Sequence, residues 1–265
     1  MKLPDFPWDT LLPYKEKASS HPDGLIDLSV GTPVDPTPDF IQSALRDASN
    51  APGYPLTIGT PELRTAMRSW AEKILGARGE FDVLPTIGSK ELVAWLPTFL
   101  QSKKVIYPDI AYPTYLVGSM IAQAEATAVG INPTSWPQAD LAWINTPSNP
   151  TGRVHSESEL KAVIDHARSN NLIVASDECY LNFPANPSIT PISILRAADG
   201  AIELVVDAGL AAFAAFEHAL QDFDAVVAVS FAAAVEVANG ALDGRFRSEE
   251  HTSELQSRGL ISYAV

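Results

Sequence analysis

The 36 residues from Asn145 to Tyr180 constrain the fold more than any other stretch of this chain. Two apolar runs, Leu141–Ile144 and Leu172–Ser176, each end at a polar cluster. The first cluster runs from Asn145 through Asn149-Pro150-Thr151-Gly152, and the second is Asp177-Glu178-Cys179-Tyr180. Between them, Ser156-Glu157-Ser158-Glu159 has the form of a capping box, in which Ser and Glu satisfy free backbone N–H groups reciprocally. Leu160, Val163, Ile164 and Ala167 then repeat at helical spacing. Strand, loop, helix and strand make a βαβ unit, whose right-handed crossover leaves its strands parallel. Open parallel sheets take ligands outside the carboxyl ends of their strands. Asn149, Asp177 and Tyr180 are therefore expected to face one ligand.

The pattern extends upstream. Leu3–Leu12 mixes prolines with Phe6 and Trp8 and reads as an extended arm. Leu25–Val30 ends in a turn-rich loop around Gly31, and Phe40, Ile41 and Leu45 mark one helix face. Thr60 before Pro61 opens a helix with proline at a position where its missing N–H is harmless. Leu63, Met67, Trp70 and Ile74 form its apolar stripe, and Gly76 ends it. Val83–Ile87 reads as a strand that turns through Gly88-Ser89-Lys90 into a helix reaching about Leu100. A helix opening at such a turn offers free N–H groups and the positive end of its dipole to an anion. Strands at Lys104–Tyr107 and near Ala126–Gly130 complete an alternation that argues for a parallel α/β sheet. Tyr112 and Tyr115 follow one strand end, where they suit either rim packing or stacking on a flat ring.

Charge and composition narrow the function. The formal net charge of −14 opposes binding to nucleic acid and to anionic membranes. The longest uncharged apolar run near the C-terminus, Ala225–Val235, is shorter than the roughly 20 residues that span a bilayer. A single cysteine, Cys179, excludes an internal disulfide framework and fits a reducing, cytoplasmic setting.

These clusters, in this order, resemble the fold-type I pyridoxal-phosphate enzymes, in particular class I/II aminotransferases, and most closely actinobacterial N-succinyldiaminopimelate aminotransferase. The resemblance rests on Phe6–Leu11, Asp27–Asp35, Ala51–Pro55, Ile87–Leu92, Ala111–Tyr115, Pro147–Val154 and Ala175–Tyr180. It implies a large domain built on a mainly parallel sheet with helices on both faces, and pyridoxal 5′-phosphate as cofactor. Asp177 would keep the pyridine nitrogen protonated. Asn149 and Tyr180 would bond the ring's phenolic oxygen, and Tyr112 would stack on its face. Ser89 and the backbone around Gly88 and Lys90 would hold the phosphate. Tyr54 would reach the phosphate of a neighbouring subunit in a homodimer. The Gly31 loop and Asn149 would face the substrate carboxylate. Amino-acid and 2-oxo-acid substrates follow, specifically N-succinyl-L,L-diaminopimelate and 2-oxoglutarate in lysine biosynthesis. Another aminotransferase, a carbon–sulfur lyase or a non-catalytic cofactor-binding fragment are the alternatives. Regulators on this fold carry a basic N-terminal DNA-binding region, for which residues 1–24 are too short.

The family pattern breaks downstream. Its Schiff-base lysine lies in a Ser-x-Ser-Lys turn one strand beyond the Asp-Glu-x-Tyr motif, yet the last lysine here is Lys161. The family's later substrate-clamping arginine has no counterpart either. No Lys or Arg occurs from Ala197 to Gly244. Arg247–Ser257 reads as a translated sequencing-library adapter. The expected organisation is residues 1–36 as N-terminal arm and small-domain portion, 37–200 as an incomplete large domain, 201–246 as a divergent or frameshifted segment, and 247–265 as an artefactual tail. On that division the C-terminal small-domain portion is missing, the chain is inactive as written, and the sheet is left with an unpaired interior edge. Glu203–Val206 could nevertheless imitate the strand that precedes the family's lysine.

Overall fold

A computed structural model describes residues 3–5, 7–27, 36–79, 81–182, 186 and 188–198, together with the strand segments 204–206, 210–211 and 226–229. The Gly31 loop and the tail from 247 onward lie outside the described residues.

The sheet has eight strands: β1 (Asp82–Ile87), β2 (Lys104–Pro108), β3 (Glu125–Val129), β4 (Leu141–Asn145), β5 (Ile173–Asp177), β6 (Leu204–Val206), β7 (Leu210–Ala211) and β8 (Val226–Val229). Their order is β3-β2-β4-β5-β6-β8-β1-β7. Every pairing is parallel except that of β7 with β1 at one edge. The carboxyl ends of β1, β4 and β5 therefore open on the same side of the sheet. The chain beyond residue 200 closes the gap that the sequence division implied. β6 pairs with β5, and β8 lies between β6 and β1. The expected unpaired interior edge is thus not found. Leu204–Val206 forms the strand that its β-branched run suggested, whereas Val226–Val229 had been read only as part of an apolar run.

Alternation along β4 shows how the sheet divides its core. Ala142 and Ile144 pack on one face with Met67, Trp70, Leu160, Val163, Ile164 and Ile194. Leu141 and Trp143 point to the other, among Leu92, Val93, Leu96 and Tyr115. Helices α3 (Pro61–Trp70), α6 (Glu157–Asn170) and α7 (Ile194–Ala197) accordingly cover the first face, and α4 (Ser89–Phe99) and α5 (Thr114–Ile121) the second. A strand buried on both faces is expected in a parallel sheet, and all five residues of β4 are buried. The two helices on the second face approach closely. A Cβ on Gly118 would lie 2.8 Å from the carbonyl oxygens of both Val93 and Ala94.

Local signals explain most of the element ends. Thr60 caps α3 by accepting from the Leu63 N–H. Ser156 and Glu159 complete both halves of the capping box on α6. The stripe on α3 departs from the expected spacing. A π-helical turn, Ala71–Leu75, follows α3 before Gly76 stops it in the left-handed conformation. The wider turn shifts the inward face by one residue. Leu75 is 1% exposed, while Ile74, expected inward, is 37% exposed.

The N-terminal region also differs from its extended-arm expectation. Pro7–Leu11 forms a 3-10 turn that continues into α1 (Leu12–Ser19). Prolines occupy early helical positions, where they need no N–H partner, and the Thr10 hydroxyl donates to the Pro7 carbonyl. α2 (Asp39–Ala48) presents Phe40, Ile41 and Leu45 as expected, but buries none of them. Among the described residues from 3 to 60, not one is buried.

Candidate functional site

β4 and β5 run in register so that Asn145 lies opposite Asp177. Each strand ends there, and the chain leaves into the two polar clusters on the same side. Asp177 is 5% exposed. Its Oδ2 accepts from the Tyr115 hydroxyl at 2.7 Å, and its Oδ1 accepts from the Cys179 backbone N–H at 3.3 Å. Among the described residues no cation pairs with it. Burial pushes the Asp177 carboxyl above the usual carboxylate range, and these hydrogen bonds oppose that rise.

Tyr115 reaches Asp177 from α5, 62 residues earlier in the chain. It is fully buried, its ring stacks on Trp143 of β4 at 5.1 Å, and burial beside Asp177 raises its hydroxyl well above the ordinary range. Tyr115 is therefore a neutral donor held in place by packing. Tyr112 is half-buried and edge-on to Tyr115 at 6.2 Å. The pair divides the two roles considered for it: Tyr115 packs and donates, and Tyr112 is the more open ring.

The second cluster member, Asn149, sits in the loop between β4 and α6. Its Nδ2 donates to the Tyr180 hydroxyl at 3.2 Å, so these two groups meet across the strand ends. Glu178 points away into the core. Its Oε1 accepts from the Ser176 hydroxyl and from the Ile194 N–H that opens α7, both at 2.8 Å. Among the described residues its Oε2 has no hydrogen-bond partner, and burial pushes its carboxyl up to about 7. Cys179, next in the chain, is half-buried.

Gly88, Ser89 and Lys90 lie farther along the same edge, after the carboxyl end of β1. Gly88 takes φ 85°, a conformation that favours glycine, and caps α4 without a side-chain hydrogen bond to its first turn. Ser89 and Lys90 follow as the first residues of that helix. Tyr54 is fully exposed and is not gathered into the cluster. Lys161 lies on the solvent side of α6, paired with Glu157 at 2.9 Å, as its position in the sequence required. The structure thus brings together Tyr112, Asn149, Asp177 and Tyr180. It adds Tyr115 and Asn145, which sequence reasoning had not assigned. A tyrosine within reach of a buried acid leaves no local sequence signature.

This donor set suits a planar aromatic cofactor with a basic ring nitrogen. Asp177 is a buried carboxylate with no cation beside it among the described residues, and a protonated ring nitrogen would neutralise it. Asn149 and Tyr180 could bond a ring oxygen, and the first turn of α4 could receive a phosphate. Among the described residues no cluster of metal-ligating side chains occurs, and no helix is long and apolar enough to cross a membrane.

A parallel α/β sheet with these groups at its carboxyl edge makes a candidate cofactor site, and comparison with known proteins gives the family. Residues 23–211 match the model of the aminotransferase class I and II family. The chain belongs to that family, whose cofactor is pyridoxal 5′-phosphate and whose fold is the fold-type I large domain. It is 42% identical over 207 residues to 4-dedimethylamino-4-oxo-anhydrotetracycline transaminase of Streptomyces rimosus, covering 74% of this chain and 56% of that protein. The crystal structure of aminotransferase AspB from Helicobacter pylori superposes with a TM-score of 0.73 at 23% identity, covering 97% of this chain and 76% of that one. N-succinyldiaminopimelate aminotransferase from Mycobacterium tuberculosis superposes with a TM-score of 0.55 at 25% identity, covering 65% and 50%. The chain spans about half the length of the curated relatives it matches.

Proposed function

We propose that the protein from which this sequence comes transfers an amino group between N-succinyl-L,L-diaminopimelate and 2-oxoglutarate, in lysine biosynthesis. The observation that carries the cofactor half of this reading is Asp177. A carboxylate buried with one tyrosine donor and no described cation is costly unless something positive meets it. Bound at this edge, pyridoxal 5′-phosphate supplies an electron sink for the substrate's amino-bearing carbon. Asp177 holds a proton on the ring nitrogen, and Tyr115 keeps Asp177 ionised to do so. Asn149 and Tyr180 orient the ring through its oxygen, and Tyr112 covers one face. Ser89, with the backbone of Gly88 and Lys90, takes the phosphate. Asn149 faces the substrate carboxylate, a role the resemblance also gives to Gly31, which lies outside the described residues.

We further propose a homodimer in which Tyr54 reaches the partner's phosphate. Its full exposure and the absence of any buried residue among the described positions from 3 to 60 support this, because exposed Leu12, Tyr14, Ile26, Leu45 and Leu56 then acquire a covering surface. The cytoplasm is the proposed location, on the strength of the single cysteine.

No lysine follows Lys161, so the group that should carry the proton between substrate atoms is missing from the chain as written. It is accordingly inactive in turnover. Incubation with pyridoxal 5′-phosphate, borohydride reduction and peptide mapping should give no stable label at a lysine in the site; one uniquely labelled lysine beside Asp177 would refute this. For the substrate, the locus read past codon 200 should encode a protein that forms glutamate from 2-oxoglutarate and N-succinyl-L,L-diaminopimelate. Glutamate formation only with other donors would favour a second reading, a differently specific aminotransferase. The identity to a transaminase named for an anhydrotetracycline substrate supports that alternative.

A further inference from the structure

We propose that Asn145 is a positioning residue that fixes Asn149 at a set distance from Asp177; this rests on the cofactor reading above. Asn145 closes β4 and is 4% exposed. Its Nδ2 donates to the Asp177 backbone carbonyl at 2.9 Å, and its Oδ1 accepts from the Asn149 backbone N–H at 2.6 Å. Asn149 then donates its own Nδ2 to Tyr180, three residues beyond Asp177. The hydrogen bonds form a closed circuit through the strand end, the loop and the second polar cluster. One planar amide ties the group facing the ring nitrogen to the pair facing the ring oxygen.

The loop needs such a tie. Ser148 N–H donates to the Arg153 carbonyl at 2.9 Å, Gly152 N–H to the Ser148 carbonyl at 2.6 Å, and His155 N–H to the Thr146 hydroxyl at 3.0 Å. Those bonds close the loop on itself, and the Thr146 N–H, donating to the Asp177 carbonyl at 3.0 Å, holds its first residue to β5. The described bond that joins Asn149's backbone to the sheet is the one to Asn145. Asp177, in contrast, is held in the ladder from both sides, by β4 and β6. When the tie is cut, Asn149 therefore moves and Asp177 stays. Asparagine is suited to the position because a side chain of that length must donate on one side and accept on the other. Aspartate would accept from Asn149 but set an oxygen against the Asp177 carbonyl, with a negative charge beside a buried acid.

Two measurements on the full chain test the role. Without cofactor, Asn145→Ala should speed hydrogen exchange at the Asn149 amide roughly tenfold, as expected for loss of one hydrogen bond, and leave Val105 in β2 unchanged. With cofactor, pyridoxamine 5′-phosphate is the probe, because it forms no imine with surface lysines. Its Kd should rise roughly tenfold in Asn145→Ala and in Asn145→Asp. The analogue lacking the phenolic oxygen should bind wild type and Asn145→Ala alike, since its contact with Asp177 is preserved. Equal losses for both ligands would reveal a general structural role and overturn the proposal, as would unchanged exchange at Asn149. Failure of wild type to bind pyridoxamine 5′-phosphate would instead refute the ring-site reading itself, and the role of Asn145 with it.

Discussion

Replacing Glu178 by glutamine should change how stability depends on pH, by an amount set by burial. Glu178 is fully buried, accepts two hydrogen bonds on Oε1, and among the described residues has no partner on Oε2. Its carboxyl rises from 4.5 to about 7, first because burial penalises the charge. At 1.36 kcal/mol per unit, that rise is worth about 3 kcal/mol. The folded state holds this proton more tightly than the unfolded chain. The contribution is therefore full below pH 4.5 and is lost as pH rises through about 7. Glutamine keeps the Oε1 acceptor for Ser176 and Ile194 and cannot ionise. At low pH the two proteins are close, because protonated Glu178 and glutamine are both neutral and both keep the Oε1 acceptor for Ser176 and Ile194. By pH 8 the variant should be more stable than wild type by about 3 kcal/mol relative to that low-pH baseline. His155 slopes the other way. Burial lowers it from 6.5 to about 4, so its contribution is full above 6.5 and lost as pH falls through about 4. In wild type these two slopes oppose each other between about pH 4.5 and 6.5, and Glu178→Gln removes the Glu178 slope while keeping that of His155. Urea unfolding at half-unit steps from pH 4.5 to 8 measures both curves. A difference between the proteins that stays constant across that range would refute the reasoning.

Two further outcomes follow from packing and from the Tyr115 contact. Tyr115→Phe removes the donor to Asp177 Oδ2, so the carboxyl should move further up; affinity for pyridoxamine 5′-phosphate should fall about 10- to 100-fold at pH 7, the scale of a hydrogen bond to a charged group, and recover as pH rises. Titration of Kd against pH for both proteins checks this, and parallel curves would argue against it. Leu75→Ala should cost about 2–5 kcal/mol while Ile74→Ala stays within about 0.5 kcal/mol; equal costs in urea unfolding would remove the π-helical turn from the account.

Local chemistry made much of this fold readable in the sequence, and long-range geometry hid the rest. The Ser156–Glu159 capping box and the Thr60 cap are satisfied within four residues, so their patterns could be read directly. The alternation of strand and helix from β1 to β5 followed from apolar periods alone. Ile74 misled because a single widened turn changes the phase of a helix without any marked change in composition. α1 was hidden by prolines that are harmless in a first turn. The βαβ pattern drew attention to Asn149, Asp177 and Tyr180, and all three lie at or just beyond the ends of the neighbouring strands β4 and β5. Tyr115 and Asn145 acquire their contacts only when α5 and β4 meet β5 in three dimensions. The strand Val226–Val229, inserted between β6 and β1, is a tertiary outcome that its alanine-rich surroundings do not announce.

The central claim is that Asp177 provides the charge that holds a protonated pyridine ring. Its most direct test is the Kd of pyridoxamine 5′-phosphate for wild type and for Asp177→Asn, measured together by fluorescence at pH 7. A buried charged pair broken on one side costs about 3–5 kcal/mol, so the variant should bind at least a hundredfold more weakly while unfolding in urea as a single transition. Equal affinity in the two proteins would contradict the account.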